Sequence, residues 1–340
     1  MKKRFVLLAS LLIFTICLFG QNNVKKYYKY VNKAELEYCK GNHKKAALFL
    51  EKAFQEKDPF IRDIYYYFYL YREHHVGDEN VIIKQAHLLA QRGELYIDGF
   101  EENRELYNTL QTIKDTTQTT IIQPLIDSLQ AIRNLDQSVR LGKFSYTEED
   151  RRQILLTDSI NLERIISLYK EFGTINENCA PYFHHSISLV LGHNSKENLI
   201  ELPFDLLKEE VKKGNLDVRV FIRMYDECQA NRKMFLSVEP TIQYGDDYGH
   251  HIIIGETLFI YPPENIKQIN KNRKAIGYSE TWEDFKIKLK FSFLEDGWNF
   301  VQEIVEHWGS DEETQKVEME TRQKIDNKEI KGEYYIKGNK

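Results

Sequence analysis

PLIDSLQAIRNLDQSVR, from Pro124 to Arg140, is the stretch whose reading decides the fold class. Leu125, Leu129, Ile132, Leu135 and Val139 recur at steps of three and four, so they share one face of a helix. Asp136 falls inside that face between Leu129 and Ile132, Arg140 follows one turn later on the same side, and Gln137 lies towards the edge. Working outward, Thr147-Glu148-Glu149-Asp150 is a capping signal for a helix that runs to Phe172 and stops at Gly173. Asp158 stands within its apolar stripe, among Ile154, Leu155, Leu162, Ile165 and Tyr169, and Asn161 borders that stripe. Helices are also expected over about Ala180 to His193, Asn198 to Lys213 and Asp217 to Phe235. His193 shares a face with Tyr182, Leu189 and Val190, and Asp226 sits at the edge of the face carrying Val218 and Ile222.

Towards the N-terminus the pattern is helix, turn, helix. Ala34, Tyr38 and Gly41 precede Ala46, Leu50 and Ala53, and Asp58-Pro59 then stops the second helix. This unit resembles a tetratricopeptide repeat, and Asp63 to His75 with Asn80 to Arg92 form a second, degenerate pair. The resemblance implies a helical array over about 24–115 that contacts a protein partner and needs neighbouring helices to cover its open face. The run Tyr65-Tyr66-Tyr67-Phe68-Tyr69, with Tyr71, is read as packing between repeat helices rather than as a ligand platform. The threonine-rich Lys114 to Thr120 marks a boundary, and a second, helical domain is expected over about 120–309.

Towards the C-terminus, IIIGETLFIY (Ile252 to Tyr261) reads as a small hairpin ended by Pro262-Pro263. Glu264 to Lys274 reads as a helix, and KIKLKFSF (Lys286 to Phe293) alternates as a half-buried strand does. A last helix is expected over Trp298 to Trp308. The remainder, 310–340, is a charged tail, either disordered or weakly paired about Asp326-Asn327. The expected fold is therefore mainly α: a tetratricopeptide-like part, then a helical domain with a small β-hairpin appendage.

Lys2, Lys3 and Arg4 followed by the apolar run Phe5 to Phe19 and by Gly20 have the layout of a secretory signal over 1–20. An uncleaved anchor is the rival reading. Ile16 stands before Cys17 where lipid attachment wants a small residue, which argues against a lipoprotein. The chain is expected to be exported, to the periplasm or beyond, and to meet the membrane only through this segment. Loss of the signal takes the formal net charge from −5 to −8, which argues against nucleic acid as a partner. Cys39, Cys179 and Cys228 then remain. Three cysteines allow one internal disulfide, with Cys179 and Cys228 the favoured pair if one forms.

A lone carboxylate on a buried face would be costly, so Asp136 and Asp158 each need a partner, and the candidates are Asp136 with Arg140 along one helix turn or Asp158 with Arg140 across two helices. One reading is a polar network that fixes helix packing. The other is a pocket with Asp136, Asp158 and His193 as catalytic candidates and Arg140 as an anion clamp. His74-His75, His184-His185 and His250-His251 do not have metal-ligand spacing, and neither a nucleophile elbow nor a phosphate loop is present, so no metal and no cofactor is expected.

Asp136-Gln137-x-x-Arg140, Asp158-x-x-Asn161, Gly173, His193, Gly214, Asp226 and Gln243-Tyr244-Gly245, with Asn270-x-x-Arg273 and Ala275-Ile276-Gly277, together resemble an uncharacterised bacterial domain family, often exported and sometimes placed behind helical repeats. The resemblance spans about Leu125 to Phe285. It implies a ligand site made of Gln137, Arg140, Asn161, Asp226, Gln243, Tyr244 and Arg273, but no reaction. Gly173-Thr174-Ile175 stands where the family has a Gly-Trp-Pro-like turn, and Asp246 where it has threonine; these are the two departures from the family pattern that bear on ligand and activity. Three functions stay open: a binding protein with a partner-contacting array and a pocket for a small polar ligand, a hydrolase-like enzyme, or a structural network without ligand.

Overall fold

Apolar residues at helical spacing dominate the chain, and the computed structural model is mainly helical with one small antiparallel sheet, as the pattern predicts. It describes residues 22–141, 147–193, 201–236, 251–263, 265–295, 297–298, 300 and 311–337. The expected signal segment, Gln243-Tyr244-Gly245 and nearly all of the expected helix from Trp298 to Trp308 lie outside these residues.

Helix α1 spans 22–39. It is followed by α2 (His43–Glu56), α3 (Ile61–His74), α4 (Glu79–Gln91) and α5 (Arg104–Thr116), and α2 packs on α3, α3 on α4 and α4 on α5. Ala34, Ala46 and Ala53 are fully buried, as small residues at close helix crossings should be. In the tyrosine run, Tyr66, Tyr67 and Phe68 are buried, and the hydroxyls are used locally. Tyr65 donates to the Glu94 carbonyl, Tyr67 to Glu51 at 2.7 Å and Tyr71 to Glu79 at 2.6 Å.

A second group of helices follows: α6 (Gln123–Ser138), α7 (Glu148–Phe172), α8 (Phe183–His193), α9 (Glu201–Lys213) and α10 (Val218–Leu236). The capping box at Thr147 and Asp150 opens α7, and Gly173, at φ +73°, closes it in a conformation that favours glycine. Helices α6, α7 and α8 pack against one another, and α10 packs against α8 and α9. One continuous apolar core runs from Val24 to Phe300 and includes side chains of both helical groups. Among the described residues, Cys39, Cys179 and Cys228 form no disulfide with one another.

Strands β1 (His251–Ile254) and β2 (Thr257–Ile260) form the expected hairpin, followed by α11 (Ile266–Ala275). Two segments differ from expectation. KIKLKFSF is not a strand but part of helix α12 (Trp282–Leu294). Its alternation also satisfies a helical period: Trp282, Phe285, Leu289 and Phe293 are buried on one side, with Ile287 48% exposed. The deciding signal is the capping box upstream, where Thr281 Oγ1 accepts from Asp284 N at 3.1 Å and Asp284 accepts from Thr281 N at 2.9 Å. Replacing Thr281 by alanine should therefore lower stability by about 1 kcal/mol, read as a drop in the urea midpoint at unchanged slope.

The charged tail is ordered over 311–337, as helix α13 (Asp311–Asp326) and strand β3 (Glu333–Ile336). Strand β3 pairs antiparallel with β2 in the register Thr257↔Ile336 and Ile260↔Glu333, giving the sheet order β1-β2-β3. Its charges find partners: Glu318 and Arg322 bond each other and Thr257, and Lys286 holds Glu333 at 2.8 Å. Tyr335 packs on a second core of Leu258, Ile260, Trp282, Phe285, Leu289 and Phe293. Among the described residues no helix is long and apolar enough to cross a membrane.

Candidate functional site

The amphipathic faces of α6, α7 and α8 turn towards one another, and that brings their misplaced polar residues together. Asp136, near the end of α6, is completely buried, and Asp158 on α7 is 3% exposed. Arg140, just past the end of α6, bridges them. Its Nη1 donates to the Asp136 carboxylate and carbonyl, both at 3.0 Å, and its Nη2 donates to Asp158. Gln137 Nε2 donates to Asp136 at 2.9 Å. His193, the last residue of α8, places Nδ1 2.9 Å from the Asp136 carboxylate.

Asp136 thus receives Arg140, Gln137 and His193, which offsets the loss of water around a buried carboxylate. Burial pushes the Asp158 carboxyl above its ordinary range; Arg140 and His193 pull it back, and Asp136 adds to the rise. The His193 side chain is 30% exposed, against 14% for Arg140, 4% for Asp158 and none for Asp136. Solvent therefore reaches this group chiefly at His193. With Nδ1 facing Asp136, the proton is favoured on that nitrogen, and Nε2 is left as the acceptor.

Asn161 binds the two helices one turn further along, its Nδ2 donating to the Ile132 carbonyl at 3.3 Å. Asp226 is buried on α10, which packs against α8. Gln243 and Tyr244 lie outside the described residues. Arg273, grouped with these residues on resemblance, is 1% exposed on α11; it holds Glu280 at 2.9 Å and lies over the rings of Tyr278 and Phe285. Its described contacts belong to a different polar group, one that reading the sequence misses.

That second group lies where α1, α3, α11, α12 and the start of α10 meet. Arg219 grips Asp63 with two nitrogens at 2.8 Å each, reaches Asp217 at 2.6 Å, and lies 3.4 Å from Glu35. Arg62 holds Glu35 at 3.2 Å. Lys288 holds Glu35 at 2.6 Å and pairs with Glu280, which Arg273 also holds. The hydroxyls of Tyr27 and Tyr28 donate to Asp63 and Asp217. Four cations thus meet four carboxylates. Burial alone would push Glu35 and Asp217 up, but Lys288, Arg62 and Arg219 outweigh it, and both stay below the ordinary carboxylate range.

A sequence signal for this group existed in part. Asp63 interrupts the apolar face of Ile61 and Ile64, but Lys288 is visible as a buried residue only once its segment is read as helix. Comparison of the chain with protein-family models, with curated proteins and with solved structures finds no match, and the chemistry of the His193 group has to come from its geometry.

Proposed function

We propose that the chain is an exported binding protein that holds a small polar ligand at the Asp136, Arg140, Asp158 and His193 group and contacts a protein partner through α1–α5. One observation carries the ligand site. Three helices deliver two buried carboxylates, a shared guanidinium and a partly exposed imidazole to one place, with Gln137 and Asn161 alongside. Arg140 is committed to both carboxylates, so it orders them instead of standing open to an anion. Among the described residues the group then carries one more negative than positive charge when His193 is neutral. That balance suits a ligand bearing an amine or several hydroxyl donors. The chain-order packing of α2 to α5 supports the array reading.

A thermal-shift screen of the exported chain against small amines, polyols and organic acids tests this. At least one amine or polyol should raise the melting temperature of the wild type. The gain should vanish in Asp158→Asn and His193→Ala. Asparagine still accepts from Arg140, so the unliganded Asp158→Asn protein should melt within a few degrees of the wild type. No responding solute, or equal responses in both variants, would sink the ligand site. A large fall in melting temperature of Asp158→Asn alone would instead favour a packing network.

The His193–Asp136 contact supports a second, hydrolase-like reading, in which Asp136 orients the ring and His193 Nε2 accepts a proton from water. Turnover of simple ester, amide or phosphoester substrates should then fall about 100-fold or more in His193→Ala. Undiminished turnover in that variant would eliminate His193 as the base.

A further inference from the structure

A cavity of about 200 Å³ lies away from the His193 group and shares none of its residues. Four connections build it: Lys57 to Phe60 before α3, Arg92 after α4, Asn176 to Asn178 before α8, and Lys213 to Asn215 before α10. Arg92 is 3% exposed, and its side chain is fixed on three sides. Nε donates to Asn178 Oδ1 at 2.8 Å, and Nη1 donates to the Pro59 carbonyl at 2.8 Å and faces Glu177 at 3.5 Å. Its Nη2 has no hydrogen-bond partner among the described residues.

Lys57 lies with Nζ 3.8 Å from the centre of the Phe60 ring and 4.6 Å from that of Tyr27, and among the described residues it donates only to the Asp58 carbonyl. Gly214, at φ +79°, lets that stem pass: a Cβ there would lie 3.1 Å from Lys57 Cε and 2.9 Å from Val24 Cγ2. The side-chain Nδ2 groups of Asn176 and Asn178 are likewise without partners among the described residues. The unused groups are thus mostly donors: a guanidinium nitrogen, an ammonium and two amides. Lys213 is already paired with Glu210 at 2.7 Å, so Lys57 and Arg92 face Asp58 and Glu177, and the lining carries one excess positive charge when Glu177 is protonated.

We propose that this cavity binds a small monocarboxylate, held between Arg92 Nη2 and Lys57 Nζ. The volume is below the roughly 300–1,000 Å³ of pockets for drug-sized ligands, which limits the ligand to a short organic acid. With Glu177 protonated, a single negative charge matches the single excess positive one, whereas a doubly charged phosphate would leave an uncompensated negative charge beside Asp58.

Glu177 gives the site a pH signature. It accepts from Ile61 N at 2.8 Å, and burial pushes its carboxyl up to about 7 although Arg92 and Lys57 oppose the rise and Asp217 adds to it. Tyr182 also lies within its electrostatic reach. Once ionised, Glu177 repels a bound carboxylate; protonated, it does not.

Titration calorimetry of the full chain with propionate, and with inorganic phosphate as comparator, tests the proposal. Propionate should bind the wild type more tightly than phosphate, and its affinity should fall about fourfold between pH 6 and pH 7.5 as Glu177 ionises. In Glu177→Gln that fall should shrink to less than about 1.5-fold. Above pH 7.5 both proteins should lose affinity as Lys57, whose ammonium burial brings down to about 8, gives up its charge. Lys57→Gln should weaken binding at least about tenfold, and Lys57→Arg should restore part of it. Arg92 also supports the fold, so Arg92→Lys serves only as confirmation, once circular dichroism shows it folded. The proposal is overturned if propionate does not bind, if phosphate binds more tightly, or if Lys57→Gln binds as the wild type does.

Discussion

Replacing Arg219 by methionine should lower the free energy of unfolding by roughly 3–5 kcal/mol, the range for breaking a buried ion pair from one side. Arg219 is the only described side chain that bonds both Asp63 and Asp217, and these carboxylates are 1% and 7% exposed. Methionine fills much of the volume but supplies no donor. Both carboxylates would then keep only tyrosine hydroxyls, from Tyr27 and Tyr28, together with the Arg219 backbone N–H at Asp217. Urea unfolding followed by circular dichroism reads the loss. Arg219→Lys should recover only part of it, because an ammonium cannot reproduce the two parallel bonds to Asp63. If Arg219→Met unfolds at the wild-type midpoint, the network is not holding α10 to α3. A replacement of the whole group by apolar residues could be neutral, since pairing and desolvation nearly cancel; the predicted loss comes from leaving anions stranded.

The second large effect is a pH dependence that belongs to Glu177. Burial raises its carboxyl from 4.5 to about 7 in the folded chain. The folded state therefore holds a proton that the unfolded state has released between those values. This contribution to stability is greatest at about pH 4.5 and below, and is lost as pH rises to about 7. At about 1.4 kcal/mol per pH unit the span is roughly 3 kcal/mol. Glu177→Gln keeps an acceptor for Ile61 N and cannot titrate. Its stability relative to the wild type should therefore climb by roughly that amount between pH 4.5 and pH 7.5, whatever constant offset the substitution introduces. Urea midpoints of the two proteins across this range give the answer. A constant difference would mean that Glu177 titrates as an exposed glutamate does.

How much of this was legible beforehand differs from element to element. Helices α6 and α7 announce themselves, because each buries one face and carries its own start and stop signals: Pro124, the capping box at Thr147, and Gly173. The oddity of Asp136, Asp158 and His193 is visible at the same level, since a helical period locates a polar residue on an apolar face whatever the face packs against. The period also suggests Arg140 as a partner, being four residues from Asp136. It does not say that one guanidinium serves both aspartates, nor that His193 joins Asp136. Residues 136 and 193 are 57 apart, and only the mutual packing of α6, α7 and α8 sets that distance.

KIKLKFSF shows the opposite case. Its residues fit two periods, and the choice lies in Thr281 and Asp284 outside the run and in the apolar surface waiting for Trp282, Phe285 and Leu289. The tail is similar: Glu, Lys and Gln read as solvated until Thr257 and Lys286 are placed beside Glu318, Arg322 and Glu333.

The sequence by itself therefore determines the helical class, the ends of the strongly amphipathic helices, the hairpin about Gly255, and which polar side chains would be expensive to bury. Those properties are local, set within one or two turns by periodicity and capping. Tertiary structure alone decides which of those side chains meet. It pairs Asp136 with His193, encloses Glu35, Asp63 and Asp217 with Arg219 and Lys288, and leaves Arg92 and Lys57 around a cavity. Each of these depends on contacts between segments far apart in the chain, whose distances no local pattern encodes.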